Sequence, residues 1–133
     1  MTGYIADTSI FVAGEQRRAL GRPPAGDARI SVATLTELGV GVRRAGTAAI
    51  RELREATYAR ARRFIALPYD ELVAERLAEL LFAAREQERR AGAMDAIIAA
   101  TALAHDLTIW TQDDAFEVLR DLAPALRVAR DSQ

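Results

Sequence analysis

The stretch from Ala91 to Leu119, "AGAMDAIIAATALAHDLTIWTQDDAFEVL", decides the fold. From Ala91 to Asp106 it has almost no polar face, which predicts a helix buried on every side. "LTIWT", Leu107 to Thr111, is a short β-branched and aromatic run, and the helical "DDAFEVLRDL" follows at once. A buried helix that feeds a strand, which in turn feeds a helix, is a unit of a parallel sheet covered on both faces.

The same alternation runs outward from that unit. "GYIAD" (Gly3 to Asp7) predicts a first strand, and "TSIFVAGEQRRAL" a helix that the adjacent prolines of "GRPPAGD" bring to an end. "RISVA" (Arg29 to Ala33) predicts a second strand and "TLTELGVGVRRAG" a helix weakened by Gly39 and Gly41. Thr47 to Arg63 is an arginine-rich helix with Ile50, Leu53, Thr57 and Ala61 at three- and four-residue spacing, and "FIALP" a third strand. Tyr69 to Arg90 carries Leu72, Val73, Leu77, Leu80, Leu81 and Ala84 on one side of an amphipathic helix. With "ALRVA" as a last strand, the pattern predicts an α/β fold whose central parallel sheet has four or five strands. Ligands of such sheets bind outside the carboxyl ends of the strands, where strand order reverses.

A chain of 133 residues suits one domain, residues 1–133. Half of it is hydrophobic and 28% is charged, as in ordinary globular proteins. The apolar start lacks a basic leader and is interrupted by Asp7, and no run approaches the roughly 20 residues that span a bilayer, so a soluble, cytoplasmic protein with no membrane partner is expected. There is no cysteine, which removes disulfides and thiol catalysis. All 18 basic residues are arginine, which removes P-loop, Schiff-base and receiver-type phosphoryl chemistry. A net charge of -1 means that any nucleic-acid binding must use a local patch.

Four acids fall near one edge of the expected sheet. Asp7 ends the first strand, Glu37 sits a turn beyond the second, Asp113 follows the fourth, and Asp95 opens the buried helix. Asp7, Thr8 and Ser9 would equally serve as helix caps, and Asp95 suits the dipole of a helix's first turn. Glu37 is harder to explain that way, because Ile30 to Val42 is otherwise uncharged and an ionised carboxylate buried there needs a metal ion or a distant arginine. If the four converge, repulsion forbids full ionisation in a dry pocket without a cation. Carboxylates with water access suit Mg2+ or Mn2+, and phosphodiester hydrolysis is the chemistry such a set best supports. His105 is the only histidine, so a serine triad or an imidazole-held zinc site would depend on it alone. A haloacid-dehalogenase-type phosphatase would want an aspartate where Ser9 stands. Asp114, three residues before Glu117, has the spacing of a capping box and is assigned to the helix start.

"YIADTSIFVA", "ISVATLTELGVGV" and "MDAIIAATALAHDLTIWTQDDAF", in this order and at this total length, resemble PIN-domain ribonucleases, particularly the VapC toxins of bacterial toxin–antitoxin pairs. The resemblance implies a three-layer α/β/α sandwich and a magnesium-dependent endoribonuclease acting as the toxin of such a pair. Asp7, Glu37, Asp95 and Asp113 match the family's four catalytic, metal-holding acids; Thr8 or Ser9 and Thr111 match hydroxyls that support them. It further implies a homodimer and a cognate antitoxin laid in an apolar groove, with Leu72, Leu77, Leu80, Leu81, Phe82, Ile50, Leu53 and Tyr58 as candidates, although core packing accounts for most of these. Arg17, Arg18, Arg22, Arg43, Arg44, Arg60, Arg62 and Arg63 are candidate phosphate contacts, or simply solvated helix faces. The chain departs from the family at Ala115, where relatives often carry a further aspartate, which weakens a second metal position. The alternative reading is a catalytically weak PIN-like module that binds RNA or protein.

Overall fold

The computed structural model describes residues 3–131, so the two residues at each end of the expected domain lie outside the described residues. Five parallel strands form one sheet in the order β3-β2-β1-β4-β5: β1 Gly3–Ala6, β2 Asp27–Ser31, β3 Ile65–Leu67, β4 Thr108–Thr111 and β5 Val128–Arg130. Six helices connect them: α1 Thr8–Glu15, α2 Val32–Arg43, α3 Ala48–Ala61, α4 Glu71–Glu86, α5 Ala93–His105 and α6 Ala115–Leu122. The chain winds outward from β1 through β2 to β3, then returns to build β4 and β5 on β1's other side. Strand order therefore reverses between β1 and β4, and their carboxyl ends flank the crevice where a ligand site belongs.

Strand alternation feeds two cores. Ile5 and Ile109 point into one, with α4, α5 and α6; Ala6, Ile30 and Trp110 point into the other, with Ile10 and Phe11 of α1 and Leu38 of α2. The first core holds α5, whose Ala96 and Ile98 to Thr101 are buried, as a helix without a polar face requires. Gly3 lets β1 run close to β2, since a Cβ there would stand 2.7 Å from the Asp27 carbonyl oxygen.

Several boundaries differ from expectation. α1 stops at Glu15, and Arg17 adopts a left-handed φ of 57°. The second strand ends at Ser31 because the Ser31 hydroxyl caps α2 through the Ala33 N–H at 3.0 Å, so a serine read as strand is a helix start. Gly39 and Gly41 do not interrupt α2, whose helical turns continue to Arg43. α4 buries Val73, Leu80 and Ala84 and half-buries Leu77, while Leu72, Leu81 and Phe82 are exposed along with Ile50 and Leu53 of α3. The expected single apolar side of α4 is thus two stripes, of which one faces the core. Among the described residues no helix is long and apolar enough to cross a membrane.

Candidate active site

Asp7 follows β1 directly, and its N–H donates to the Trp110 carbonyl at 3.0 Å, which pins it beside β4. With an extended backbone it caps α1: one carboxylate oxygen accepts the Ser9 N–H and the other the Ser9 hydroxyl at 3.2 Å. The Ser9 hydroxyl also stands 3.2 Å from that of Thr111, at the end of β4. Asp7 therefore caps α1, and the cap still leaves its carboxylate within reach of the charge of Asp113. Only 3% of it is exposed, and burial pushes its pKa up to about 6 against the pull of the Thr111 and Ser9 hydrogen bonds, with the charge of Asp113 adding to the rise.

Asp95 sits in the first turn of α5, half-buried, where Gly92 offers no side-chain cap. Its pKa is also pushed up to about 6, mainly by burial and then by the charges of Glu37, Asp113 and Asp7. The four acids predicted from the sequence thus share one electrostatic neighbourhood at the β1/β4 switch point. They do not form a closed ligand set: among the described residues, no three acidic, histidine or cysteine side chains are grouped to hold one metal ion. No arginine neutralises them either, since the ion pairs of the described residues all engage other carboxylates.

Glu37 is half-buried, and its partner within the chain is a hydroxyl; among the described residues no arginine pairs with it. The Thr8 hydroxyl lies 2.5 Å from Glu37 Oε1 and 3.1 Å from the Thr34 hydroxyl, and its one proton goes to the carboxylate, the stronger acceptor. Glu37 opens into a cleft of about 440 Å³ between α1, α2 and α3, which Arg44 and Arg54 also line. Arg54 closes that wall by donating to the Gly41 carbonyl at 2.8 Å. The three hydroxyls divide by acid: Thr8 serves Glu37, while Ser9 and Thr111 serve Asp7.

The opening of α6 corrects the assignment of the paired aspartates. Asp114 makes no side-chain cap; it already has helical angles, and its carboxylate pairs with Arg130. Asp113, one residue earlier, accepts the Ala115 N–H at 3.0 Å, and its own N–H donates to the Thr111 hydroxyl at 2.8 Å. Glu117 pairs with Arg120 and completes no capping box. Thr34, Gln112 and Asp131 were not foreseen; Thr34 alone left a signal, standing three residues before Glu37 on one helix face. His105 is itself exposed in the last turn of α5, a cation-favouring position at a helix C-terminus.

The PIN domain family model matches residues 4–122. Ribonuclease VapC4 of Mycobacterium tuberculosis is 39% identical over 119 residues, which cover 89% of this chain and 92% of that protein. Ribonuclease VapC5 of the same organism is 38% identical over 127 residues, 95% of this chain and 93% of the relative. The crystal structure of VapBC-5 from M. tuberculosis, a member of the VapBC family of toxin-antitoxin systems, contains a chain matched with a TM-score of 0.84, 33% identity and coverage of 98% of this chain and 99% of that one. By fold and by sequence, the chain belongs to the PIN domain family, within its VapC group.

Proposed function

We propose that this chain is a divalent-metal-dependent endoribonuclease, the toxin of a toxin–antitoxin pair, working in the cytoplasm as a single domain over residues 1–133. The observation that carries this reading is the unpaired acid group at the β1/β4 switch point, where burial and mutual repulsion hold Asp7 and Asp95 near pKa 6. The names of the relatives support it, being ribonucleases and a toxin–antitoxin system.

The donor set fits a hard cation. Its ligating atoms are carboxylate oxygens, it carries excess negative charge, and it is reached from an open cleft and the exposed Asp113. Asp7, Glu37, Asp95 and Asp113 would hold Mg2+ or Mn2+, which when bound supplies Lewis acidity toward a phosphodiester and its attacking water. Ser9 and Thr111 fix the rotamer of Asp7, and Thr8 fixes that of Glu37. Asp113 is held in place by the same Asx turn that starts α6. The exposed apolar residues Leu72, Leu81, Phe82, Ile50 and Leu53 support a cognate antitoxin and a second copy of the chain as protein partners.

Purified protein incubated with single-stranded RNA should cleave it with Mg2+ or Mn2+ and stop with chelator, and Asp7→Asn or Asp95→Asn should be inactive. Chelator-resistant cleavage, or full activity in either variant, would refute the metal mechanism. Growth arrest on expression, relieved by the product of the neighbouring gene, tests the toxin role; arrest that this product leaves in place would count against it.

A further inference from the structure

The segment from Gln16 to Gly26, between α1 and β2, has no regular secondary structure, yet two side chains outside the acid group tie it to the sheet's carboxyl edge. Asp131, directly past β5 and 9% exposed, accepts the Gly21 N–H on both oxygens, at 3.0 and 3.1 Å. Its Oδ2 also accepts from Gln112 Nε2 at 3.2 Å. The same amide nitrogen donates to the Ala19 carbonyl at 3.2 Å, and Gln112 Oε1 accepts from Arg18 Nε at 3.3 Å. Both anchors are fixed from behind, Asp131 by its N–H on the Thr111 carbonyl at 2.6 Å and Gln112 by its N–H on the Ser9 hydroxyl at 2.8 Å.

Gln112 lies between Thr111 and Asp113, and its N–H bonds the Ser9 hydroxyl that also holds Asp7, so its backbone stands at the rim of the acid group. Asp131 is a buried carboxylate in no ion pair among the described residues; its hydrogen bonds are all to neutral N–H groups, two of them to one backbone amide. Arg18 engages Gln112 through Nε and Gln16 through one terminal nitrogen, and it too is in no ion pair among the described residues. An exposed guanidinium with N–H donors to spare and its charge uncompensated is suited to grip a phosphate in two-toothed fashion.

We propose that Gln112 and Asp131 latch the Arg18 segment across the rim of the acid group, so that the Arg18 guanidinium binds an RNA phosphate flanking the one that is cut. This rests on the reading of RNA as substrate. Gln112 and Asp131 are positioning residues, and Arg18 alone touches the RNA.

The test uses the full chain carrying Asp95→Asn, a fluorescent single-stranded RNA read by anisotropy, and limited trypsin digestion followed at Arg17 and Arg18. Gln112→Ala and Asp131→Ala should each weaken RNA binding and speed cutting at these arginines by roughly tenfold, the scale of one lost hydrogen bond to a charged group. Arg18→Ala should weaken binding equally while speeding cutting at Arg17 far less than the latch variants do, since the backbone ties at Ala19 and Gly21 remain, and adding Asp131→Ala to it should weaken binding no further. Asp131→Asn, which keeps an acceptor for Gly21, guards against a folding defect and should restore most protection. In active protein, Asp131→Ala should raise KM with kcat nearly unchanged. A segment cut faster with RNA binding intact, or protection unchanged in both latch variants, would overturn the proposal. Faster cutting in the latch variants, together with no RNA binding by the Asp95→Asn parent whose Arg18 and latch are intact, would instead overturn the RNA reading and Arg18's role, leaving the latch as a structural tie.

Discussion

The hydroxyl of Thr8, at the start of α1, lies 2.5 Å from the carboxylate of Glu37 in the middle of α2, across 29 positions of sequence. It joins the helix that follows β1 to the helix that follows β2 at the point where the cleft opens. Thr8→Val removes the donor and preserves the shape. RNA cleavage should fall about tenfold and stability by about 1 kcal/mol, whereas Thr8→Ser should retain both. Kinetics and thermal melts of the pair decide it; wild-type kinetics in Thr8→Val would show that Glu37 needs no orientation.

The adjacent aspartates that precede α6 should separate cleanly. Asp113→Asn keeps the acceptor for the Ala115 N–H but removes a charge from the acid group, so cleavage should drop by roughly 10- to 100-fold with the fold intact. Asp114→Asn breaks a pair with Arg130 whose carboxylate is 81% exposed, so cleavage should persist and stability change by about 0–1 kcal/mol. Circular dichroism melts and cleavage rates of both variants check this, and the reverse pattern would reassign the site.

Asp7 sets the sign of a pH effect in the metal-free protein. Its folded pKa, about 6, exceeds its ordinary 3.8, so between these values the folded state binds more protons than the unfolded. Its contribution to stability therefore falls as pH rises from about 4 through 6 and stays lost above that. Asp7→Asn should flatten this slope and stabilise the chelated protein at pH 7 by about 1–3 kcal/mol. Urea denaturation at pH 5 and pH 7 measures it; a wild-type slope in the variant would assign the effect elsewhere.

Protons and a divalent ion compete for the same carboxylates. Added Mg2+ or Mn2+ should raise the melting temperature at pH 7.5 and much less at pH 5, where Asp7 and Asp95 are protonated. Asp95→Asn should abolish the metal-dependent rise. An equal rise at both pH values would place the ion away from these residues.

The two apolar populations should respond oppositely to substitution. Ile109→Ala opens a cavity at a fully buried position of β4 and should cost about 2–5 kcal/mol. Phe82→Ser, at a position 66% exposed, should change stability by less than about 0.5 kcal/mol while lowering affinity for the antitoxin. Melts and a binding titration against the neighbouring gene's product check both.

Much of this molecule was legible in the order of its residues. The almost wholly apolar character of Ala96 to Leu103, with Thr101 its one hydroxyl, and the short β-branched runs around Ile5, Ile30 and Ile109 pointed to a buried helix and a doubly covered parallel sheet, the arrangement that removes such apolar surface from water. Once the sheet was parallel, Asp7 and Asp113 had to lie at its carboxyl edge, since they stand one and two residues past the ends of β1 and β4. Tertiary structure alone decided which oxygen meets which proton. Asp113, not Asp114, turns back on α6, because Thr111 at the buried end of β4 captures its N–H; Glu37 is oriented by a threonine 29 positions away. Gln112 and Asp131 carried no pattern at all: they matter through partners 93 to 110 positions distant, and periodicity, which records only which face of one element is buried, carries no information about pairings between elements.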